Sequence, residues 1–487
     1  MVSARTLLFS ISLGCGFVGD NMSHAEADPD AGFLFDRFAL TLDIGERTEA
    51  VGPLFHRQST ESGSRIACPP LFSLAHEEDT DAEEFDLLYP LLTYDRFGSE
   101  YRWQLLQLLS FAGGQNQEGM AKKRFTLFPF YFQQSSPDAG QNYRALLPFY
   151  GDIKGRFFRD EISFVMFPMY VRSRKRDVVT DNYLYPFFHL RRGDGLHGWQ
   201  FWPLLGREHK DETTRTNGFG EVEVVGGHEK RFVLWPFFHS QTVGIGTENP
   251  ERSLAALPFH ASLRSPNRDS TSVLWPFFTW IDDREKHYRE WQGPWPFVVF
   301  ARGEGKTASR VWPLFGRAHN DTLESDFYLW PLYKYNRLHS EPLDRERVRI
   351  LYFLFSDTRE RNTETGAARK RVDLWPLFTR RTDFDGNTRL QLFAPIEPVL
   401  PNNKSVERNW SPLWSVWRAE QNAKTGAATQ SLLWNLYRCE TTRTTRKCSL
   451  LFGLFQYQSD QDTRRWRWFY LLRAGSSRRS EHVSEHR

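Results

Sequence analysis

Residues 231–240 read Arg-Phe-Val-Leu-Trp-Pro-Phe-Phe-His-Ser, and the heart of that stretch, Leu234-Trp235-Pro236-Phe237-Phe238, returns along the whole chain. Close copies are Leu184-Tyr185-Pro186-Phe187-Phe188 and Leu274-Trp275-Pro276-Phe277-Phe278. Trp312-Pro313, Trp330-Pro331 and Trp375-Pro376 are each followed by Leu and then Phe or Tyr. Weaker copies centre on Pro53, Pro70, Pro90, Pro129, Pro148, Pro168, Pro203, Pro258, Pro296 and Pro412. Late in the chain the frame survives with Asn435 or Gly453 in the Pro position.

The spacing is regular: 17 residues from Pro53 to Pro70, 20 from Pro70 to Pro90, 19 from Pro129 to Pro148 and 20 from Pro148 to Pro168. Extended through the degenerate copies, this gives about 22 units, a fixed period that marks a repeat architecture. Each apolar stretch has strand length and is rich in aromatics, which suit pleated surfaces. Between the stretches lie turn residues, as in Arg192-Gly193-Asp194-Gly195 and Asp383-Phe384-Asp385-Gly386-Asn387. The pattern predicts one strand and one turn per unit, with almost no helix. Short links between successive strands predict an all-β, antiparallel up-and-down meander, closed as a large barrel or barrel-like shell. A Pro at the middle of each strand would remove a ladder donor, so a bend or bulge is expected there.

Residues 1–27 are expected to be a signal peptide: Arg5, an apolar stretch from Thr6 to Val18, and Ala25-Glu26-Ala27 before Asp28. Cys15 lies in the apolar stretch, but Ser12 stands where a lipoprotein signal carries Leu. Residues 28–473 form the expected β-repeat domain, and 474–487 a disordered polar tail. An oxidising compartment would permit a disulfide between Cys439 and Cys448, which flank a polar turn; two free thiols are the alternative.

Lys plus Arg number 63 and Asp plus Glu 60, so the net charge of +3 gives no electrostatic case for nucleic acid. No cofactor is expected. Gly303-Glu304-Gly305-Lys306-Thr307 shares residues with phosphate-binding loops, but Phe300 occupies the position of the first Gly. Asp383 to Asn387 lacks the downstream Glu of a calcium loop. His56, His189 and His239 each follow a motif Pro by three residues, and with one strand per unit the last two fall at opposite edges of the sheet. Trp410, Pro412, Trp414 and Val416 read as one face of a late strand, as do Leu432, Trp434 and Leu436, and Trp466, Trp468, Tyr470 and Leu472.

A Trp-bearing face on short antiparallel strands leads to the expectation of a non-enzymatic cell-envelope protein. The first form of that reading is an outer-membrane-type β-barrel acting in passage, anchoring or assembly, with outer-membrane lipid as its partner. A soluble periplasmic or secreted β-repeat scaffold is the alternative, and a carbohydrate-binding or carbohydrate-active protein the third.

Overall fold

The computed structural model describes residues 35–115, 121–216, 220, 222–461 and 463–477, and so not the expected signal peptide. Among the described residues are 45 strands, most of them five to seven residues long. Forty-three form a single sheet in which neighbouring strands pair antiparallel in chain order. A separate hairpin, Thr213–Thr216 with Val222–Val225, is looped out of it. The first strand, Asp36–Ala39, and the last, Leu472–Ser477, each pair on one side only. The all-β meander stands, but the sheet is open and does not close as a barrel. The last strand also carries order past residue 473, into what the sequence assigned to the tail.

The repeat holds two strands, not one. Strand Val178–Tyr183 runs into strand Phe188–Gly193, and Tyr183 pairs with Phe188 across the four residues Leu184 to Phe187. The next link is the two-residue turn Asp194-Gly195, and strand Leu196–Phe201 completes the pattern. Pro186 therefore lies in a turn. Its peptide bond with Tyr185 is cis, Leu184 has φ 50°, and the Phe187 N–H donates to the Leu184 carbonyl at 2.8 Å. That is a type VI turn, the turn class that requires a cis-Pro at its third position. The same cis bond precedes Pro236, Pro276, Pro313, Pro331 and Pro376. No strand is bulged by its Pro, because no motif Pro sits in a ladder.

Two further expectations fail for the same reason and a third for a different one. Leu433 to Leu436 and Phe469 to Leu471 are turns, so neither stretch is the middle of a strand. Trp410 to Val416 is not a strand at all. It belongs to an insert between strands Thr388–Leu392 and Trp417–Gln421, which carries two short helices, α1 (Lys404–Asn409) and α2 (Ser411–Trp414). Asn403 caps α1 by accepting from the Val406 N–H at 2.9 Å.

With two strands per repeat, every turn built on a motif Pro falls on one edge of the ribbon, together with its Pro-free equivalents at 351–354 and 433–436, and the alternate turns, Glu341-Pro342 among them, fall on the opposite edge. Strands of about six residues make the ribbon about 20 Å wide, and 43 of them at 4.7–4.9 Å give a contour of about 200 Å. The ribbon's two ends meet through side chains rather than through a ladder. The Arg408 guanidinium, in α1, donates to Asp86 at 2.9 Å and also pairs with Glu84. Asn409 donates to Asp86 at 2.8 Å, and Trp410 Nε1 to the Tyr89 carbonyl at 3.3 Å. Further along, Asn422 donates to the Thr41 carbonyl at 3.1 Å, and Arg438 lies 3.9 Å from Asp36. Asp36, Thr41 and Glu49 of the first strands meet Arg438, Asn422 and Asn435 of the late strands, whereas Glu84, Asp86 and Tyr89, farther in, meet the helices that precede those strands. The two end regions are thus laid face to face in opposite order.

Candidate functional site

The Pro-turn edge has a composition unlike the rest of the ribbon. One residue in from the turns, cross-strand partners form an apolar row on one face. It runs Leu87, Leu92, Leu105, Leu109, Leu127, Tyr131, Leu146, Tyr150, Val165, Tyr170, each paired with the next. It passes the looped-out hairpin unbroken, with Leu205 paired directly to Val233, and farther on Phe315, Tyr328, Tyr333, Ile350, Phe355, Leu374 and Phe378 continue it. Cross-strand aromatic and aliphatic pairs of this kind stabilise a sheet by a few tenths to about 1 kcal/mol each.

The turns extend this row outward. Trp235 is 48% exposed and Phe237 49%, and the equivalent Trp275 and Phe277 are 46% and 49% exposed. Pre-Pro aromatics meet from turn to turn: Trp202 with Trp235 at 6.5 Å between ring centres, and Trp312 with Trp330 at 5.6 Å. Trp375 instead donates its Nε1 to the Pro395 carbonyl in the insert, at 2.9 Å.

The backbone of this edge is also paired. The Tyr185 N–H donates to the Pro168 carbonyl and the Trp235 N–H to the Pro203 carbonyl, both at 2.7 Å. Likewise Trp330 N–H donates to the Pro313 carbonyl at 2.7 Å. Each such turn is hydrogen-bonded to the one before it, and Pro contributes no N–H that needs a partner. The edge therefore presents apolar side chains over a backbone several of whose N–H groups are paired from turn to turn.

The opposite edge is built from short polar turns such as Asp194-Gly195, Glu304-Gly305 and Ala423 to Gly426. Asn362 and Asn422 order two of them by accepting from backbone N–H groups at 2.9 to 3.1 Å. An exception is the turn with Phe157 and Phe158 at its tip, where Phe158 is 95% exposed.

Behind the Pro turns, on the face away from the apolar row, a second row is buried. It includes Ser73, Asp86 and Thr93, then Phe132 and Ala145, then Asp373 and Thr379. His56, His189 and His239 belong to this row, all on the Pro edge, and this corrects the expectation of opposite edges. Each turns its ring back onto its own Pro carbonyl, at 3.3, 2.6 and 3.4 Å respectively. Burial, then the nearby Arg47 charge, hold the His56 imidazole well below its ordinary value, partly offset by its bond to Pro53. These histidines brace turns and are not gathered around a common point.

The remaining motifs resolve into local structure. Gly303 ends one strand and Lys306 opens the next, and the Lys306 ammonium is held by Glu290 at 2.7 Å. Asp383 accepts from the N–H groups of Asp385 and Asn387, a self-contained loop. Cys439 and Cys448 are cross-strand partners joined by a disulfide, and Cys68 is free. Among the described residues no group of three His, Cys, Asp or Glu is placed to hold a metal, and no helix is long and apolar enough to cross a membrane. No family model matches the chain, and no curated protein is similar to it.

Proposed function

We propose that this is a non-enzymatic cell-envelope protein that lies on a membrane by its Pro-turn edge, as an anchor or assembly platform. One observation carries the reading: a long apolar rim of Leu, Phe and Trp, several of whose backbone N–H groups are already bonded from turn to turn. Entry into hydrocarbon requires satisfied backbone groups, and Trp and Tyr favour the membrane interface. A rim repeated along about 200 Å also suits a continuous lipid surface better than one protein partner.

The same geometry argues for lying on lipid over spanning it. Spanning strands need 9–11 residues and an apolar band about 25 Å tall. Here the strands are shorter, and one of the longest, Leu343–Ile350, carries Asp344, Arg345, Glu346, Arg347 and Arg349 over both of its faces. The contacts between the ribbon's ends favour a barrel-like shell standing on the leaflet rather than a barrel within it. The polar faces also favour a second reading, a soluble periplasmic or secreted scaffold.

Flotation of the full chain with lipid vesicles separates the two. Co-flotation that survives high salt supports the membrane seat, because apolar insertion is not screened. Protein left at the bottom of the gradient with every vesicle supports the scaffold.

A further inference from the structure

Five consecutive strands, Tyr170–Lys175, Val178–Tyr183, Phe188–Gly193, Leu196–Phe201 and Leu205–Lys210, form a concave patch with a cleft of about 550 Å³. Their register sorts one face into rows parallel to the Pro edge. The outermost row is Tyr170, Tyr183, Phe188, Phe201 and Leu205. The next is Arg172, Asp181, Leu190, Trp199 and Arg207, and the third is Arg174, Val179, Arg192, His197 and His209.

Four Arg and two His line the cleft against a single carboxylate, Asp181. That carboxylate is buried and occupied. It accepts from Arg172 at 2.7 Å, from the Tyr170 hydroxyl at 2.8 Å and from Arg192 at 3.2 Å. Arg191 turns to Glu208 on the other face, which His228 also contacts at 2.6 Å. Among the described residues Arg207 pairs with Glu229 alone, at 3.7 Å, and its side chain is 58% exposed; that of Arg192 is 64% exposed. A guanidinium carries five donors, so both retain a fork open to the cleft. His209 is engaged by Asp211 at 3.1 Å.

The depth of these rows matters. Two residues along a strand advance about 7 Å, so the Arg207 row lies about 7 Å behind the outermost apolar row and the Arg192 row about 14 Å behind it. The headgroup layer on each side of a bilayer is about 5–8 Å thick. With the rim in the acyl region, the Arg207 row falls at the level of the phosphates.

We infer that this cleft holds the phosphate of an anionic lipid headgroup, with Arg207 and Arg192 as its donors and Trp199 packed against the adjoining glycerol or sugar. The inference rests on the Pro edge facing lipid. Phosphate suits the site because guanidinium forks match its oxygens in pairs.

The probe is flotation of the full chain with vesicles of phosphatidylcholine alone or containing phosphatidic acid. The expected result is tighter binding to phosphatidic acid by about tenfold or more, from two arginines at the surface. The double variant Arg192→Gln with Arg207→Gln should lose that preference and keep its binding to phosphatidylcholine. A control pair of exposed arginines outside the cleft, Arg289→Gln with Arg317→Gln, should keep the preference. Equal affinity of the native chain for both vesicles, an intact preference in the cleft variant, or the same loss in the control would each overturn the inference. So would inorganic phosphate raising the melting temperature of the native chain, but not of the cleft variant, while abolishing the vesicle preference, since free phosphate would then be the ligand. Failure to bind either vesicle would instead remove the membrane reading on which the inference stands.

Discussion

The two edges of this ribbon are made by the same strands and differ only in how those strands are joined. At one edge links of three or four residues carry an aromatic or Leu, a cis-Pro and a Phe or Leu; at the other, most links are short and polar. The apolar edge bonds from turn to turn and places its side chains outward, whereas on the polar edge Asn362 and Asn422 close their turns on themselves. The lesson is that a sheet with polar, charged faces can still be strongly amphipathic, because its polarity runs along the strands instead of across them.

The largest expected effect tests whether that edge depends on the ribbon's ends meeting. Arg408 is 4% exposed and pairs with Asp86 and Glu84, so Arg408→Met leaves a buried carboxylate without its partner. A loss of about 3–5 kcal/mol is expected on denaturant unfolding. Resonance energy transfer between labels at positions 41 and 429 should fall as the ends part. Vesicle binding should persist in protein that stays folded, since the edge itself is untouched. Lost binding in the folded variant would tie the membrane seat to the junction.

Next in size is the edge itself. Replacing Trp235, Trp275 and Trp312 together by Glu should weaken vesicle binding by about 100-fold or more, at roughly 1 kcal/mol or above for each indole withdrawn from the interface. Circular dichroism should hardly change, because these rings are exposed. Unchanged binding would remove the distinction between the edges.

The smallest effect concerns the bracing of the turns. His56 is buried opposite Glu49 and close to Arg47, Arg65 and Arg418, and its pKa in the folded chain lies well below 6.5. Its neutral form is therefore the native one. Above about pH 6.5 it adds no pH dependence; below that, the unfolded chain takes up the proton first and stability falls, by up to about 1.4 kcal/mol per pH unit. His56→Gln should flatten the melting temperature between pH 7.5 and 5.5, about the range in which a free imidazole titrates. An unchanged slope would assign the pH dependence to other groups.

Much of this was legible in the sequence, and the misreading has one physical source. The motif's period, its antiparallel chain order and the near absence of helix followed from residues 234–238 and their copies. The rule that an apolar run marks a strand presumes that strands are the buried parts. Here Leu184 to Phe187 is apolar because it is a turn at the rim, while true strands such as Arg268–Val273 carry Arg, Asp, Ser and Thr. Loop length held a clue: one six-residue strand in a 19-residue unit would leave about 13 residues per hairpin loop, against the usual 2–5. The insert at Ala394 to Val416 hid because Trp410-Ser411-Pro412-Leu413-Trp414 imitates the motif. The Arg and His cleft was not legible, since its members meet only once register is fixed across five strands.

The most direct test of the account is depth measured at the two edges. Single cysteines at Phe277 and Thr365, with Cys15 and Cys68 replaced by Ser, would carry an environment-sensitive fluorophore on vesicles containing brominated lipid. The fluorophore at 277 should shift to the blue and be quenched, and the one at 365 should behave as in water. Quenching of equal strength at both positions, or at neither on vesicle-bound protein, would contradict the assignment of the Pro-turn edge to lipid.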